Sequence, residues 1–174
     1  MIKQIWTIGH STRTVEEFLE MLMAFEIQRL VDVRHYPGSR KFPQFNKQAL
    51  SDFLQGANIE YTHIEELGGR RKPKPDSKNV AWRHPAFRGY ADYMESDSFH
   101  QGVMQLKAMA LRGPTAFMCS EAVWWRCHRS LIADLLKSEG WVVYHILSVQ
   151  KATEHPYTSA AKIADGRLAY TGIF

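Results

Sequence analysis

With 174 residues, 45% hydrophobic and 23% charged, the chain is long enough to bury one core without disulfides or a metal, which excludes a disordered tail or a small cross-linked scaffold. No stretch approaches the roughly 18 consecutive apolar residues of a membrane-spanning helix, and two cysteines, Cys119 and Cys127, make no disulfide framework. The net charge is +4, and its distribution along the chain says more than its total.

The N-terminus, MIKQIWTIGHS, runs directly into a strand pattern without the apolar core and cleavage site of a signal peptide, so cytoplasmic residence and no membrane are expected. The first strand is read at Gln4–Ile8. Val15, Phe18, Leu19 and Leu22 then recur at helical spacing, with Thr14 and Glu17 as a capping box. A second strand, RLVDV, covers Arg29–Val33, and Asn46 is placed to cap a helix ending near Gly56. A third strand covers Ile59–Ile64. Segment 68–84 follows, where Arg70, Arg71, Lys72, Lys74, Lys78 and Arg83 against Asp76 give +5 and leave −1 for the rest of the chain. Such a loop attracts anions, a solvated surface loop being its plain alternative. A helix over Phe99–Leu111 stops at Gly113-Pro114, a fourth strand spans Thr115–Met118, a helix covers about Cys127–Lys137, and a fifth strand covers Trp141–Leu147. This alternation predicts a single α/β domain over 1–174: a mainly parallel sheet of about five strands with helices on both faces, Rossmann-like and three-layered. Residues 68–84 form a basic loop within it, and 148–174 an irregular tail.

In an open parallel sheet the carboxyl ends of the strands share one edge, where ligands bind. Here that edge collects His10-Ser11, Asp32-Val33-Arg34 with Arg40, Gly68-Gly69-Arg70-Arg71, and Cys119-Ser120-Glu121 followed by Arg126-Cys127-His128-Arg129. A thiol leaving a buried strand ahead of a helix start sits where backbone N–H groups and the helix dipole favour anions and lower its pKa. Cys119 is therefore read as the nucleophile, with packing as a small apolar residue the alternative. Glu121 and His128 are candidate acid–base groups. Asp32 and His10 are counted with the catalytic set, as groups that orient their neighbours. Ser11, Arg34, Arg40, Arg126, Cys127, Arg129, Arg70 and Arg71 are candidates for holding an anionic substrate, although Ser11 or Thr12 could equally cap the first helix.

His10, Asp32, His63, Glu121, Cys119, Cys127 and His128 are ligand types, but no zinc spacing joins them, and no metal is expected. No GxGxxG and no phosphate loop of the GxxxxGK type occurs, so no cofactor is expected. Trp82, Phe87, Tyr90 and Tyr93 beyond the basic loop, and Trp124-Trp125 between the cysteines, interleave aromatics with cations as single-stranded nucleic acid binders do. Core packing is their ordinary alternative.

Several stretches carry a resemblance: Thr7-Ile8-Gly9-His10-Ser11, Asp32-Val33-Arg34 with Pro37 and Ser39-Arg40, Phe42 through Asn46, and Tyr61 with Leu67-Gly68-Gly69. Further along come Tyr90-Ala91 with Tyr93-Met94, Cys119 with Glu121, Cys127-His128-Arg129, His145-Ile146, and the tail residues His155-Pro156-Tyr157, Gly166, Leu168 and Tyr170. In these the chain resembles the bacterial and archaeal family called domain of unknown function 488. The resemblance implies one α/β domain and points to the same strand-end residues, but supplies no substrate. The expected function is an enzyme, a hydrolase or transferase, acting on an anionic, nucleic-acid or nucleotide-like substrate. The alternatives are a non-catalytic nucleic-acid-binding module and a thiol-redox or sensor protein using Cys119 and Cys127. A homo-oligomer is left open.

Overall fold

The computed structural model describes residues 2–172. Its strands are β1 (Gln4–Gly9), β2 (Arg29–Asp32), β3 (Glu60–His63), β4 (Thr115–Cys119), β5 (Val142–Ser148) and β6 (Lys151–Glu154), joined in the order β3-β2-β4-β1-β5-β6. The first five pair in parallel, and β6 returns antiparallel along β5. The expected mainly parallel sheet with helices on both faces is present, with one strand more than the five anticipated.

The helices are α1 (Val15–Ala24), α2 (Lys47–Gly56), α3 (Pro85–Tyr93), α4 (Asp97–Arg112) and α5 (Arg129–Ser138). Alternating residues of β1, β2, β4 and β5 feed two cores. On one face Phe18, Met21 and Leu22 of α1 and Leu50 and Leu54 of α2 meet Ile8, Leu30, Ala116 and Met118. On the other, α3, α4 and α5 supply Tyr90, Phe99, Leu106, Leu131 and Leu136 against Ile5, Val31, Phe117 and Cys119. Strand β4 is buried along its whole length, as a central strand covered on both sides must be. Among the described residues no helix is long and apolar enough to cross a membrane.

Thr14 and Glu17 close the capping box expected for α1, which relieves Ser11 and Thr12 of that role. Asn46 stands at the start of α2, but its side chain accepts from the Ser39 N–H (2.6 Å) instead of capping. Helix α3 was not anticipated. Its start signal is Pro85 at the first helical position, and Gly89 in its middle obscured it. That glycine is required, since a Cβ there would lie 2.1 Å from the Arg71 carbonyl oxygen. The basic loop is pinned to this helix, for the buried Asp92 carboxylate accepts from the Lys74 N–H, the Ser77 hydroxyl and the Asn79 amide.

The tail is a correction. Residues 148–174, expected to be irregular, contain β6 and a hairpin of β7 (Lys162–Ala164) and β8 (Arg167–Ala169). The hairpin turns on Asp165-Gly166, both at positive φ (52° and 74°), the conformation a two-residue turn needs.

Candidate functional site

The order of the strands makes the site. From β1 and β2 the chain leaves toward the α1–α2 face, whereas from β4, which lies between them, it leaves toward the α5 face. The carboxyl end of β4 is therefore a switch point, where departing chains diverge and open a crevice. Gly9 lies beside Cys119 and Asp32 beside Met118 in the register there. A Cβ on Gly9 would lie 1.7 Å from the Glu121 carbonyl oxygen, so glycine lets the β4–α5 loop press against β1.

The crevice is a cavity of about 1010 Å³. Of the anticipated residues, His10, Ser11, Arg34, Arg70, Cys119, Glu121, Arg126, Cys127 and His128 line it. Phe87 and Tyr90, read from the sequence as aromatics interleaved with the cations, line it too, as do His35 and Lys41, which sequence reasoning had not assigned to the site. Four anticipated residues stand elsewhere. Asp32 is fully buried behind Arg34, and Arg129 is buried (1% exposed) behind Cys127. Arg40 is exposed outside the cavity, where Lys41 takes the wall position. Arg71 lies over the Tyr93 ring, its Cζ 3.7 Å from the centroid, and faces a second hollow of about 280 Å³.

On the α1–α2 face Arg34 is held from three sides. Its Nε and Nη2 donate to Asp32 Oδ1 and Oδ2 (2.9 and 2.7 Å), Nη2 donates also to the Phe45 carbonyl (2.7 Å), and Nη1 donates to His10 Nε2 (3.4 Å). Burial works against the guanidinium charge, but Asp32 holds the Arg34 pKa above its ordinary value. The Tyr61 hydroxyl donates to the same carboxylate, and its pKa is raised by burial and by that charge. His10 donates from Nδ1 to the Ser11 carbonyl (2.9 Å) and stacks on Phe45 (4.3 Å between ring centres). Burial lowers its pKa to about 4, so at neutral pH it is an uncharged acceptor for Arg34.

On the α5 face the sulfurs of Cys119 and Cys127 are 2.7 Å apart, both buried and both free thiols. The Arg129 backbone N–H donates to Cys127 Sγ (3.4 Å), and His128 Nδ1 lies 3.5 Å from that sulfur. His128 Nε2–H donates to the Val33 carbonyl (2.7 Å), which leaves Nδ1 bare. The Arg129 guanidinium donates from Nη2 to the Glu121 carbonyl (2.7 Å) and from Nη1 to the Thr7 hydroxyl (3.3 Å), while its Nε has no partner. Burial resists ionisation of Cys127, but the Cys119 hydrogen bond, the Arg129 charge and the Arg129 amide outweigh it and hold its pKa below the ordinary thiol value. Burial and the neighbouring Cys127 push Cys119 well above that value. Ionisation thus favours Cys127, the thiol that sequence reasoning ranked second; the signal available was its place two residues before a buried arginine at a helix start.

The arrangement offers a thiolate, an adjacent imidazole with a free nitrogen, and a cationic wall of Arg34, Lys41, Arg70 and Arg126. Among the described residues no three His, Cys, Asp or Glu side chains converge as a metal ion requires. No curated protein and no solved structure matches the chain. A family model does, over residues 14–136, a stretch that takes in Asp32, Arg34, both cysteines, His128 and Arg129: the chain belongs to the family described as Domain of unknown function DUF488.

Proposed function

We propose that the protein is a thiol-dependent enzyme, a hydrolase or transferase, whose nucleophile is Cys127 and whose substrate is an anion of nucleotide or nucleic-acid type. The observation that carries this reading is a buried Arg129 with no carboxylate within ion-pair reach among the described residues, standing beside a sulfur whose ionisation it favours. The bare Nδ1 of His128 is the acceptor for the Cys127 proton and returns it to the leaving group when the sulfur attacks. Arg70, Arg126 and Lys41 hold the negative charge of the substrate and Arg34 presents its Nη1 to it, with Trp125 and Tyr36, 54% and 65% exposed, as stacking surfaces for a base. Cytoplasmic residence and action without a cofactor belong to the same proposal.

The test is alkylation of each cysteine followed across pH by mass spectrometry, with and without ATP, AMP or a short single-stranded oligonucleotide. Cys127 should titrate below the roughly 8.5 of a free thiol, react ahead of Cys119, and be protected by one of these anions. Normal titration and no protection would remove the enzyme reading. Oligonucleotide binding that persists unchanged in Cys127→Ser, with no turnover found, would favour a binding module.

The 2.7 Å approach of the two sulfurs supports a second reading, thiol redox chemistry. Two thiols would pass two electrons and two protons to an oxidant such as hydrogen peroxide and become a disulfide. A loss of 2 Da from the intact protein, reversed by dithiothreitol, distinguishes it.

A further inference from the structure

Behind the cavity, a run of buried polar groups crosses the domain. Thr7 of β1 and His145 of β5 are partners in the register, with Oγ1 and Nδ1 2.6 Å apart. His145 Nε2 lies 2.8 Å from His155 Nδ1, and His155 Nε2 lies 2.8 Å from Asp134 Oδ1 on α5. Asp134 also accepts from the Thr158 N–H and hydroxyl and from the Tyr170 hydroxyl. Trp124, from the loop between the cysteines, stacks on His145 with ring centres 4.5 Å apart and planes 3° from parallel. All four members of the run, Thr7, His145, His155 and Asp134, are at most 1% exposed.

The two ends fix the direction of every bond. Arg129 can only donate, so Thr7 Oγ1 accepts from Nη1, and the Asp134 end fixes the remaining bonds and brings the single Thr7 hydrogen to His145 Nδ1. His145 must then carry its hydrogen on Nε2 and donate to His155 Nδ1. His155 must likewise donate from Nε2 to Asp134, which as a carboxylate can only accept. Burial keeps His145 uncharged, its pKa lowered to about 2, as this direction demands.

We propose that Asp134, His155, His145 and Thr7 form a one-directional hydrogen-bond chain that positions the Arg129 guanidinium as the counter-ion of the Cys127 thiolate. The four are positioning residues, acting through Arg129. The chain supplies Arg129 with a remote negative partner at the far side of two imidazoles. A carboxylate in direct contact would neutralise the guanidinium; a distant one orients it and leaves its charge to the sulfur. The proposal rests on the thiolate reading of Cys127, and the experiment separates the two.

The variants are Thr7→Val, which keeps the shape and removes the hydroxyl, and Thr7→Ser, which restores it. In ¹⁵N-labelled wild-type protein, NMR should find His145 and His155 both as Nε2–H tautomers. Thr7→Val should shift the His155 ring signals two links away, and Thr7→Ser should leave them in place. The Cys127 pKa, read from the pH dependence of its alkylation by iodoacetamide, should rise by about half to one unit in Thr7→Val, about threefold to tenfold in its ionisation constant, and recover in Thr7→Ser. A His145 carrying its hydrogen on Nδ1 overturns the chain. Correct tautomers with unchanged alkylation in Thr7→Val overturn its link to the thiol. Correct tautomers with an un-ionised wild-type Cys127 sustain the chain and overturn the thiolate reading.

Discussion

The two faces of the sheet treat a buried arginine in opposite ways. On the α1–α2 face Arg34 is clamped by a carboxylate two residues away, at 2.7 and 2.9 Å, and its charge is spent inside the fold. On the α5 face Arg129 is as deeply buried but meets only a carbonyl and a hydroxyl. A paired guanidinium in a dry site is an anchor with one nitrogen left to present. An unpaired one is a source of potential, and the group within its reach is a thiol. The neighbouring walls therefore divide the work: Arg34 gives geometry, Arg129 gives charge.

The largest effect that can break this comparison is on stability. Asp32→Asn leaves Arg34 buried without its counter-charge and should cost about 3–5 kcal/mol, read from urea unfolding at neutral pH. Arg129→Met should cost much less, about 1–2 kcal/mol for two lost hydrogen bonds, because a buried charge is removed with them. Equal losses would mean that Arg129 has a hidden anionic partner. The thiols should report the reverse ranking, Arg129→Met raising the Cys127 pKa, read from the pH dependence of alkylation, by about one unit, and Asp32→Asn changing it little.

Much of the site's edge was legible in the sequence, because a buried strand such as TAFMC announces itself and the residues after it fall on one side of the sheet. Asp32, Arg34 and Cys119 were placed that way. What was not legible depends on register and on return of the chain. The pairing of Thr7 with His145 is a property of two strands 138 residues apart, and His155 reaches Asp134 only because β6 folds back along β5. Composition could not separate Arg40 from Lys41 either, since a turn built on Ser39 and Asn46 decides which of them faces the cavity. The hairpin in the tail did leave a signal, the Asp165-Gly166 pair of a two-residue turn.

Acid should sharpen the contrast next. Unfolded His10 takes its proton near 6.5, the folded ring only at about 4. Between those values the unfolded chain holds a proton that the native one refuses, so the His10 contribution is complete above pH 6.5 and is lost as pH falls toward 4, by about 3 kcal/mol in all. His10→Gln removes that titration. Its melting temperature should start lower at pH 7 and fall less steeply between pH 6.5 and 4 than that of the wild type. Parallel curves would show that His10 is not the neutral acceptor that holds Arg34.

The smallest effect concerns the rim, where the structure separates four arginines that the sequence treats alike. Arg70 and Arg126 line the cavity, whereas Arg40 stands outside it and Arg71 is turned onto Tyr93. Each cation that contacts a phosphate of a single strand steepens the dependence of log affinity on log salt by about 0.7. Binding of an eight-residue oligothymidylate, measured by fluorescence anisotropy from 50 to 200 mM salt, should therefore flatten by about 1.4 in Arg70→Gln/Arg126→Gln. Arg40→Gln/Arg71→Gln should leave the slope in place. The opposite ranking would put the anion outside the crevice, on the surface around Arg40 and Arg71, and would detach the thiol pair from it. Equal flattening by both pairs would mean a diffuse surface attraction in which the switch point at β4 has no part.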